Sequence, residues 1–175
     1  MFLTADGMNS WTIWNGSVMN SRSVQVENGI RGMSFMNAVD TNVLLYAVDE
    51  DEPAKRMRAR EFLRQLGRTD EPLLMWQVLG EFLAGLRRWE QQRGYDPRRT
   101  RRYFELMTSR MRVEYANLAA AERSFEFRDR YSLSHWDSML LAACATAGVD
   151  TLYSEDMDDG MTYDTVKVVN PFAGA

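Results

Sequence analysis

From about residue 36 onward, short apolar runs alternate with longer segments in which apolar residues recur at the helical period. The short runs predict β-strands, and five of them stand out: "FMNAV", "EPLLMW", "RVEYANL", "VDTLYS" and "TVKVVNPF". The longer segments between them predict helices. Because strands that alternate with helices form parallel sheets, the pattern predicts a three-layer α/β/α fold with a central, mostly parallel sheet.

Cap residues give several of the predicted helices definite ends. Asp96 and Pro97 form an N-cap and first-turn pair. Ser134 is a natural N-cap for another helix, and Gly148 is its natural C-terminal stop. The most regular helix is "QVLGEFLAGLRRWEQQRG", whose apolar stripe consists of Val78, Leu79, Phe82, Leu83, Leu86 and Trp89.

Two further segments also have helical periods. "AAAERSFEFRDRYS" predicts a helix between the third and fourth strands. "AKRMRAREFLRQLG" predicts a helix that Gly67 ends. Its inward-facing residues are expected to be Met57, Phe62, Leu63 and Leu66.

Residues 1–35 differ from the rest of the chain, because they show no sustained period. We expect them to be a disordered extension or a mis-called start, and the functional domain to span residues 36–175. The composition, 45% hydrophobic and 26% charged, is typical of a soluble globular protein. The chain has one cysteine, no secretory signal and no apolar run near the roughly 18 residues of a membrane span. We therefore expect a cytoplasmic protein.

The net charge of -4 hides an uneven distribution of basic residues. Lysine occurs only at Lys55 and Lys167, and the arginines cluster in "LRRWEQQRGYDPRRTRRYFELMTSRMRVEY". Such a cluster is often the solvated face of a helical hairpin. Arginine also binds phosphate well through its planar donor fork, so a phosphate-binding surface is the alternative.

Four carboxylates share a predicted location at one edge of the sheet. They are Asp40 after the first strand, Glu81 in the long helix, Asp137 in the turn after Ser134 and Asp156 after "TLYS". In a parallel sheet the C-terminal ends of strands and the N-termini of helices meet at the same edge, where ligands bind. The four side chains can therefore meet there.

Each of three carboxylates also has an ordinary explanation. Asp137 can complete a capping box with Ser134, Glu81 can be solvated, and Asp156 can belong to a turn. Asp40 has no such local explanation, because an ionised carboxylate at the tip of a buried strand needs a partner or a metal ion.

A hard divalent cation would neutralise carboxylates that converge. Mg²⁺ and Mn²⁺ take oxygen ligands and commonly bind together with substrate phosphates. Such a site polarises a phosphodiester and lowers the pKa of a bound water. The acidic edge, combined with an arginine-rich wall, therefore indicates a nuclease.

Four short stretches resemble the motifs of a known family. They are "VDTN" at 39–42, "GEF" at 80–82, "HWDSMLLAAC" at 135–144 and "LYSEDM" at 152–157, with "VNPF" after them. In this order they resemble the PIN-domain ribonucleases, and within that family the VapC-type toxins of bacterial toxin–antitoxin pairs. The resemblance covers residues 36–172.

The resemblance implies a Mg²⁺- or Mn²⁺-dependent endoribonuclease that a small cognate antitoxin holds inactive, and a homodimer. It implies that the metal-binding acids are Asp40, Glu81, Asp137 and Asp156. Supporting roles are implied for Thr41, Asn42 and Ser154, and an outer metal contact for Asp159, ahead of Asp158. The chain departs from the family at Ser154, where threonine is usual.

Two other classes of function were considered. A haloacid-dehalogenase-like enzyme needs a second Asp at the position of Asn42, and a receiver-like domain needs an Asp where the third strand carries Asn117. Both fit poorly. A catalytically silent PIN-like module that binds RNA or an antitoxin is the remaining alternative, although it gives no reason for four repelling carboxylates.

Other side chains are expected to have structural roles. His135 is interpreted as a surface or packing residue and Cys144 as a small buried hydrophobe. Trp76 and Trp89 are interpreted as core or dimer contacts, whereas Trp136, beside the acidic edge, could stack on RNA.

Overall fold

The computed structural model describes residues 35–69 and 72–173. Residues 1–34 lie outside this part, so the expectation for the 1–35 extension stays a prediction. The strands are β1 (Asn37–Val39), β2 (Leu73–Met75), β3 (Arg112–Glu114), β4 (Thr151–Tyr153), β5 (Thr162–Tyr163) and β6 (Val166–Val169). The helices are α1 (Thr41–Val48), α2 (Pro53–Thr69), α3 (Trp76–Arg93), α4 (Pro97–Arg110), α5 (Leu118–Tyr131) and α6 (His135–Ala147).

The described strands form a single sheet in the order β3-β2-β1-β4-β6-β5. Neighbouring strands are parallel except for β5, which pairs antiparallel with β6. The chain moves outward from β1 to β3 through α1–α4 and then returns to β4 through α5 and α6. Because crossovers between parallel strands are right-handed, the two groups of helices cover opposite faces. The predicted three-layer α/β/α fold is confirmed.

The core lies between the sheet and the helices on each face. Its largest fully buried side chains include Leu44, Leu74, Phe82, Leu86 and Leu141. α1 and α3 cross closely at Gly85, where a β-carbon would lie 2.8 Å from a side-chain methyl of Leu45. A larger residue at position 85 would therefore displace the Leu45 side chain, and the backbone angle at Gly85 is an ordinary one.

The structure corrects three expectations about the helices. Met57 is 70% exposed rather than inward-facing, because it lies nearly opposite Ala59 and Leu66 on the α2 surface. α2 continues past Gly67 to Thr69. α1 was not predicted as a separate helix, since its eight residues are largely apolar and show little contrast between faces.

Other predicted boundaries are confirmed. Asp96 caps α4 by accepting a hydrogen bond from the backbone N–H of Arg98, with Pro97 as the first helical residue. Ser134 caps α6, and Gly148 ends it with a left-handed backbone. No helix in ranges 35–69 and 72–173 has both the length and the apolar character needed to cross a membrane.

Replacing Phe82 tests the packing between α3 and the sheet. Phe82 is fully buried, so Phe82→Ala should lower the free energy of unfolding by about 3–5 kcal/mol. The matched control is Phe125→Ala on α5, where the ring is 71% exposed and the change should stay within about 0.5 kcal/mol. Urea denaturation of both variants measures the difference, and equal losses would contradict this description of the core.

Candidate functional site

Asp40 lies at the C-terminal tip of β1 and is the N-cap of α1. Its side chain is held by neighbours on both sides: Oδ1 accepts a hydrogen bond from the Thr41 N–H at 2.6 Å, and Oδ2 accepts one from the Ser154 hydroxyl at 2.7 Å. The Asn42 amide donates a longer bond to Oδ2 at 3.4 Å. The residue is only 8% exposed, so this carboxyl group is buried at the edge of the sheet.

Burial raises the pKa of the Asp40 carboxyl to about 6. The hydrogen bonds from Ser154 and Thr41 oppose this shift, because they stabilise the charged form. The nearby charges of Asp156 and Glu81 raise the pKa further. Asp40, Asp156 and Glu81 therefore share one electrostatic environment, in which a cation would be stabilised.

Both carboxylate oxygens of Glu81 are also held. The Thr41 hydroxyl donates to Oε2 at 2.9 Å, and the Gln77 amide donates to Oε1 at 2.9 Å. The same Gln77 nitrogen donates to the backbone carbonyl of Trp136 at 3.1 Å. Gln77 thus connects Glu81 with the first turn of α6, which carries Asp137.

Gln77 was missed by the sequence analysis. It lies four residues before Glu81 on α3, a spacing that puts two side chains on the same helix face. This spacing was the available signal. Its second contact, to Trp136, joins segments 59 residues apart and has no local signal.

The loop after β4 places Asp156 by backbone and side-chain hydrogen bonds. The Ser154 N–H donates to the Val169 carbonyl at 3.1 Å, and the Asp156 N–H donates to the Ser154 hydroxyl at 3.2 Å. The Glu155 N–H lies 3.4 Å from the Asn42 side-chain oxygen. Ser154 therefore contacts Asp40 and Asp156 at once.

A lysine fixes the same loop from α2. The Lys55 ammonium donates to both carboxylate oxygens of Glu155, at 2.9 and 2.8 Å, and to the Tyr46 hydroxyl at 2.9 Å. The bond to Glu155, followed by that to Tyr46, raises the pKa of Lys55. For Glu155, burial alone would raise the pKa, but the bond from Lys55 makes the net shift downward. Lys55 therefore stays charged and holds Glu155, next to Asp156.

Asp137 has the capping role that was considered for it. The Ser134 hydroxyl donates to its Oδ2 at 2.6 Å, and the Asp137 N–H lies 3.2 Å from the same hydroxyl. Burial, then the charge of Asp158, raises the pKa of Tyr163, and Asp137 contributes to this rise. The charge of Asp137 therefore acts on Tyr163, while its side chain is bound by Ser134 and its backbone adjoins the Trp136 carbonyl that Gln77 reaches.

The two acids after Asp156 have different surroundings. Asp159 accepts a hydrogen bond from the Asn170 N–H at 2.8 Å, which connects the loop to the end of β6. Asp158 lies 3.5 Å from the Tyr163 hydroxyl. One oxygen of Asp159 is thus engaged by backbone, and its outer metal role stays a prediction.

Two arginines of the cluster form ion pairs with acidic residues of the same chain. Arg93 forms ion pairs with Asp49 at 2.8 Å and with Asp51 at 3.0 Å, and Arg99 pairs with Glu50. All three acids follow α1, at the opposite end of that helix from Asp40. For these two arginines the structure favours a structural role over phosphate binding.

His135 and Cys144 have the predicted structural positions. His135 is exposed, with its ring 4.8 Å from that of Trp136. Cys144 is fully buried, and burial, with a smaller contribution from Asp40, raises the pKa of its thiol. A buried neutral thiol does not act as a nucleophile.

A comparison with protein-family models identifies the fold. The model of the PIN domain matches residues 38–159, which is more than half of the chain. The chain belongs to the PIN domain family. A comparison with curated proteins found no significant match.

Solved structures with the same fold include components of toxin–antitoxin complexes. VapBC2 from Rickettsia felis, bound to a promoter DNA fragment, has a TM-score of 0.60 at 12% identity and covers 77% of this chain and 97% of that chain. A toxin–antitoxin complex from Klebsiella pneumoniae has a TM-score of 0.57 at 22% identity, covering 78% and 98%. VapC20 of Mycobacterium tuberculosis, a toxin that cleaves the sarcin–ricin loop, has a TM-score of 0.53 at 19% identity, covering 70% and 91%.

The carboxylates of this PIN domain suit a hard divalent cation that is bound by only a few protein ligands. Asp40, Glu81 and Asp156 offer oxygen ligands, as Mg²⁺ and Mn²⁺ prefer. Within the described residues, no three Asp, Glu, His or Cys side chains converge closely enough to form a ready-made metal cage. Mg²⁺ commonly needs no such cage, because it binds through one or two carboxylates and completes its shell with waters and substrate phosphates.

The raised pKa of Asp40 predicts an unusual pH dependence of stability in this PIN domain. The folded state binds the Asp40 proton more tightly than the unfolded chain, with a pKa of about 6 against 3.8. The contribution of this group to the free energy of unfolding therefore falls as pH rises from about 4 to about 6. Asp40→Asn lacks this loss, so it should gain up to about 3 kcal/mol relative to the native chain over that interval.

Urea denaturation at a series of pH values, with chelator present, measures this difference. The control is Asp129→Asn, an exposed carboxylate on α5, which corrects for the general effect of removing one negative charge. A pH-independent difference between the native chain and Asp40→Asn would show that Asp40 is not buried as described.

Proposed function

We propose that this PIN domain is a Mg²⁺- or Mn²⁺-dependent endoribonuclease and the toxin of a toxin–antitoxin pair. It would hydrolyse RNA phosphodiester bonds at the sheet edge that carries Asp40. The observation that carries the proposal is the buried Asp40 carboxyl, whose pKa is raised to about 6 by burial and by Asp156 and Glu81. A protein keeps such a costly arrangement where a cation or a reaction uses it.

Within the proposed site, the chain's own residues hold the carboxylates in fixed positions. Asp40 and Asp156 would provide metal ligands. The Ser154 hydroxyl connects them, because it donates to the carboxylate of Asp40 and accepts from the N–H of Asp156. Thr41 and Gln77 fix the two oxygens of Glu81. The bound ion would polarise the scissile phosphate and lower the pKa of a water, which is the chemistry that hydrolysis requires. Asp137 would complete the set at the start of α6.

The toxin assignment is supported by the fold and by the family. The structures from Rickettsia felis and Klebsiella pneumoniae are toxin–antitoxin complexes, and VapC20 cleaves RNA at the sarcin–ricin loop. We propose a small cognate antitoxin as the partner of this chain, RNA as its substrate and a homodimer as its assembly.

Cleavage of RNA with and without metal tests the proposed reaction. The native chain should cleave total bacterial RNA in Mg²⁺ or Mn²⁺ and should stop in excess chelator. Asp40→Asn should lose about 100-fold or more of the activity, because even the partners of metal ligands cost ~10–100-fold when replaced. Gel analysis and end-mapping of the fragments measure the rate.

Two results would contradict the proposal. Cleavage that persists in chelator or in Asp40→Asn would exclude the metal mechanism. RNA or antitoxin binding without cleavage of total RNA in either metal would favour the alternative, a catalytically silent PIN-like binding module. Phe125→Ala serves as the active control, since this exposed ring lies on α5 rather than among the carboxylates.

The contacts of Lys55 predict that it positions Asp156. Lys55→Met keeps the apolar stem but removes the bonds to Glu155 and Tyr46. The Mg²⁺ concentration for half-maximal cleavage should rise and kcat should fall by about 10-fold, at the lower end of ~10–100-fold. The free energy of unfolding should change by less than about 1 kcal/mol, because the pair is partly exposed.

Lys167 provides the matched control, since it is the second lysine of the chain and lies exposed on β6. Lys167→Met should leave the Mg²⁺ dependence unchanged. A Lys55→Met variant that loses stability but keeps the native Mg²⁺ dependence would show a structural role alone.

A further inference from the structure

Two large aromatic rings lie exposed and stacked at the C-terminal edge of the sheet. Trp76 is 53% exposed and Tyr115 is 64% exposed. Their ring centroids are 4.9 Å apart and their planes differ by 28°. Trp76 is therefore not a core residue, and its alternative role as a dimer contact stays a prediction, whereas Trp89 is in the core at 8% exposure.

The register of the sheet explains why these rings meet. Met75 at the end of β2 pairs with Glu114 at the end of β3. Trp76 and Tyr115 are the next residue on each strand, so both leave the sheet at the same edge. The stack is thus built on two paired strands, and its position is fixed by them.

The chain connects this aromatic pair directly to a residue of the candidate metal site. Gln77 follows Trp76 directly and donates hydrogen bonds to Glu81 and to the Trp136 carbonyl. Trp136 is itself 61% exposed. Trp76 therefore precedes the residue that holds Glu81, and the backbone of Trp136 accepts a hydrogen bond from the same residue.

The chemistry of this surface suits a nucleobase with its phosphate. An exposed ring in a stacked pair leaves one π-face open, and base–aromatic stacking is tolerant of base identity. In α3, whose residues are all described, the N-cap makes no side-chain hydrogen bond and the first turn carries no acidic residue. The backbone N–H groups there favour an anion such as a phosphate beside the stacked base.

We propose that Trp76 and Tyr115 form a stacking platform for an unpaired base of the RNA substrate, next to the bond that is cleaved. This inference rests on the proposed ribonuclease function and adds to it two residues, Trp76 and Tyr115, that would bind the substrate outside the carboxylates. A base inside a duplex has both faces covered by its neighbours, so it cannot use the platform.

Binding of a labelled RNA to the full chain tests the platform. The probe is a short fluorescein-labelled oligoadenylate, measured by anisotropy in chelator so that no cleavage occurs, with the corresponding RNA duplex as competitor. Trp76→Ala and Tyr115→Ala should each weaken binding of the single strand by about 5-fold to 100-fold. Trp76→Phe should retain most of the affinity. The preference for single strand over duplex should shrink in the two alanine variants.

Phe125→Ala is the matched control, because it removes another exposed ring, at 71% exposure, from the middle of α5. It should leave RNA binding unchanged. Sedimentation of every variant reports the oligomeric state. The platform would be overturned by equal losses in Phe125→Ala and Trp76→Ala, by unchanged binding in Trp76→Ala, or by no binding in the native chain. It would also be overturned if Trp76→Ala changed the oligomeric state, since this surface would then contact a second copy.

The outcome is separable from that of the proposed function. Metal-dependent cleavage with native kcat/KM in Trp76→Ala would retain the nuclease and reject the platform. Trp76-dependent binding of oligoadenylate by a chain that cleaves no RNA would retain the platform and reject the nuclease.

Discussion

The structure depends on one costly feature, a carboxyl group at 8% exposure on the tip of β1. Burial disfavours the charge of Asp40 enough to raise its pKa to about 6, and two further carboxylates, of Asp156 and Glu81, add to that rise. Three hydrogen-bond donors, from Thr41, Asn42 and Ser154, compensate in part. The segments after β1 and β4 and the start of α3 each contribute a charge or hold one in position.

The two residues after Asp40 form hydrogen bonds to opposite sides of the sheet edge. Thr41 reaches across to Glu81 on α3, whereas Asn42 reaches Ser154 and Glu155 in the loop after β4. The short stretch Asp40–Asn42 therefore joins the two sides of the sheet edge. Further contacts extend each side outward, through Gln77 to α6 and through Glu155 to Lys55 on α2. The donors that hold Asp40 and Glu81 therefore come from both sides of the edge.

Much of the fold followed from local patterns, and the errors have physical causes. Capping residues and apolar stripes predicted α3, α4 and α6 with nearly correct ends, because those signals act within one or two turns. α1 was missed since a helix buried among α2, α3 and the sheet carries little polar contrast. Met57 was placed inward because Met is apolar, although Ala59 and Leu63 define the buried face of α2.

The sequence by itself determined the class of the fold, the strand tips and helix starts that carry the acids, and the likeness to the PIN family, because each depends on residue type and spacing. Only the tertiary structure decided which carboxylates act on the pKa of Asp40 and which residues Gln77 and Lys55 bind. It also decided that Trp76 stacks on Tyr115 at the surface. These contacts join segments far apart in the chain, and the parallel register that brings them together has no signature in the local sequence.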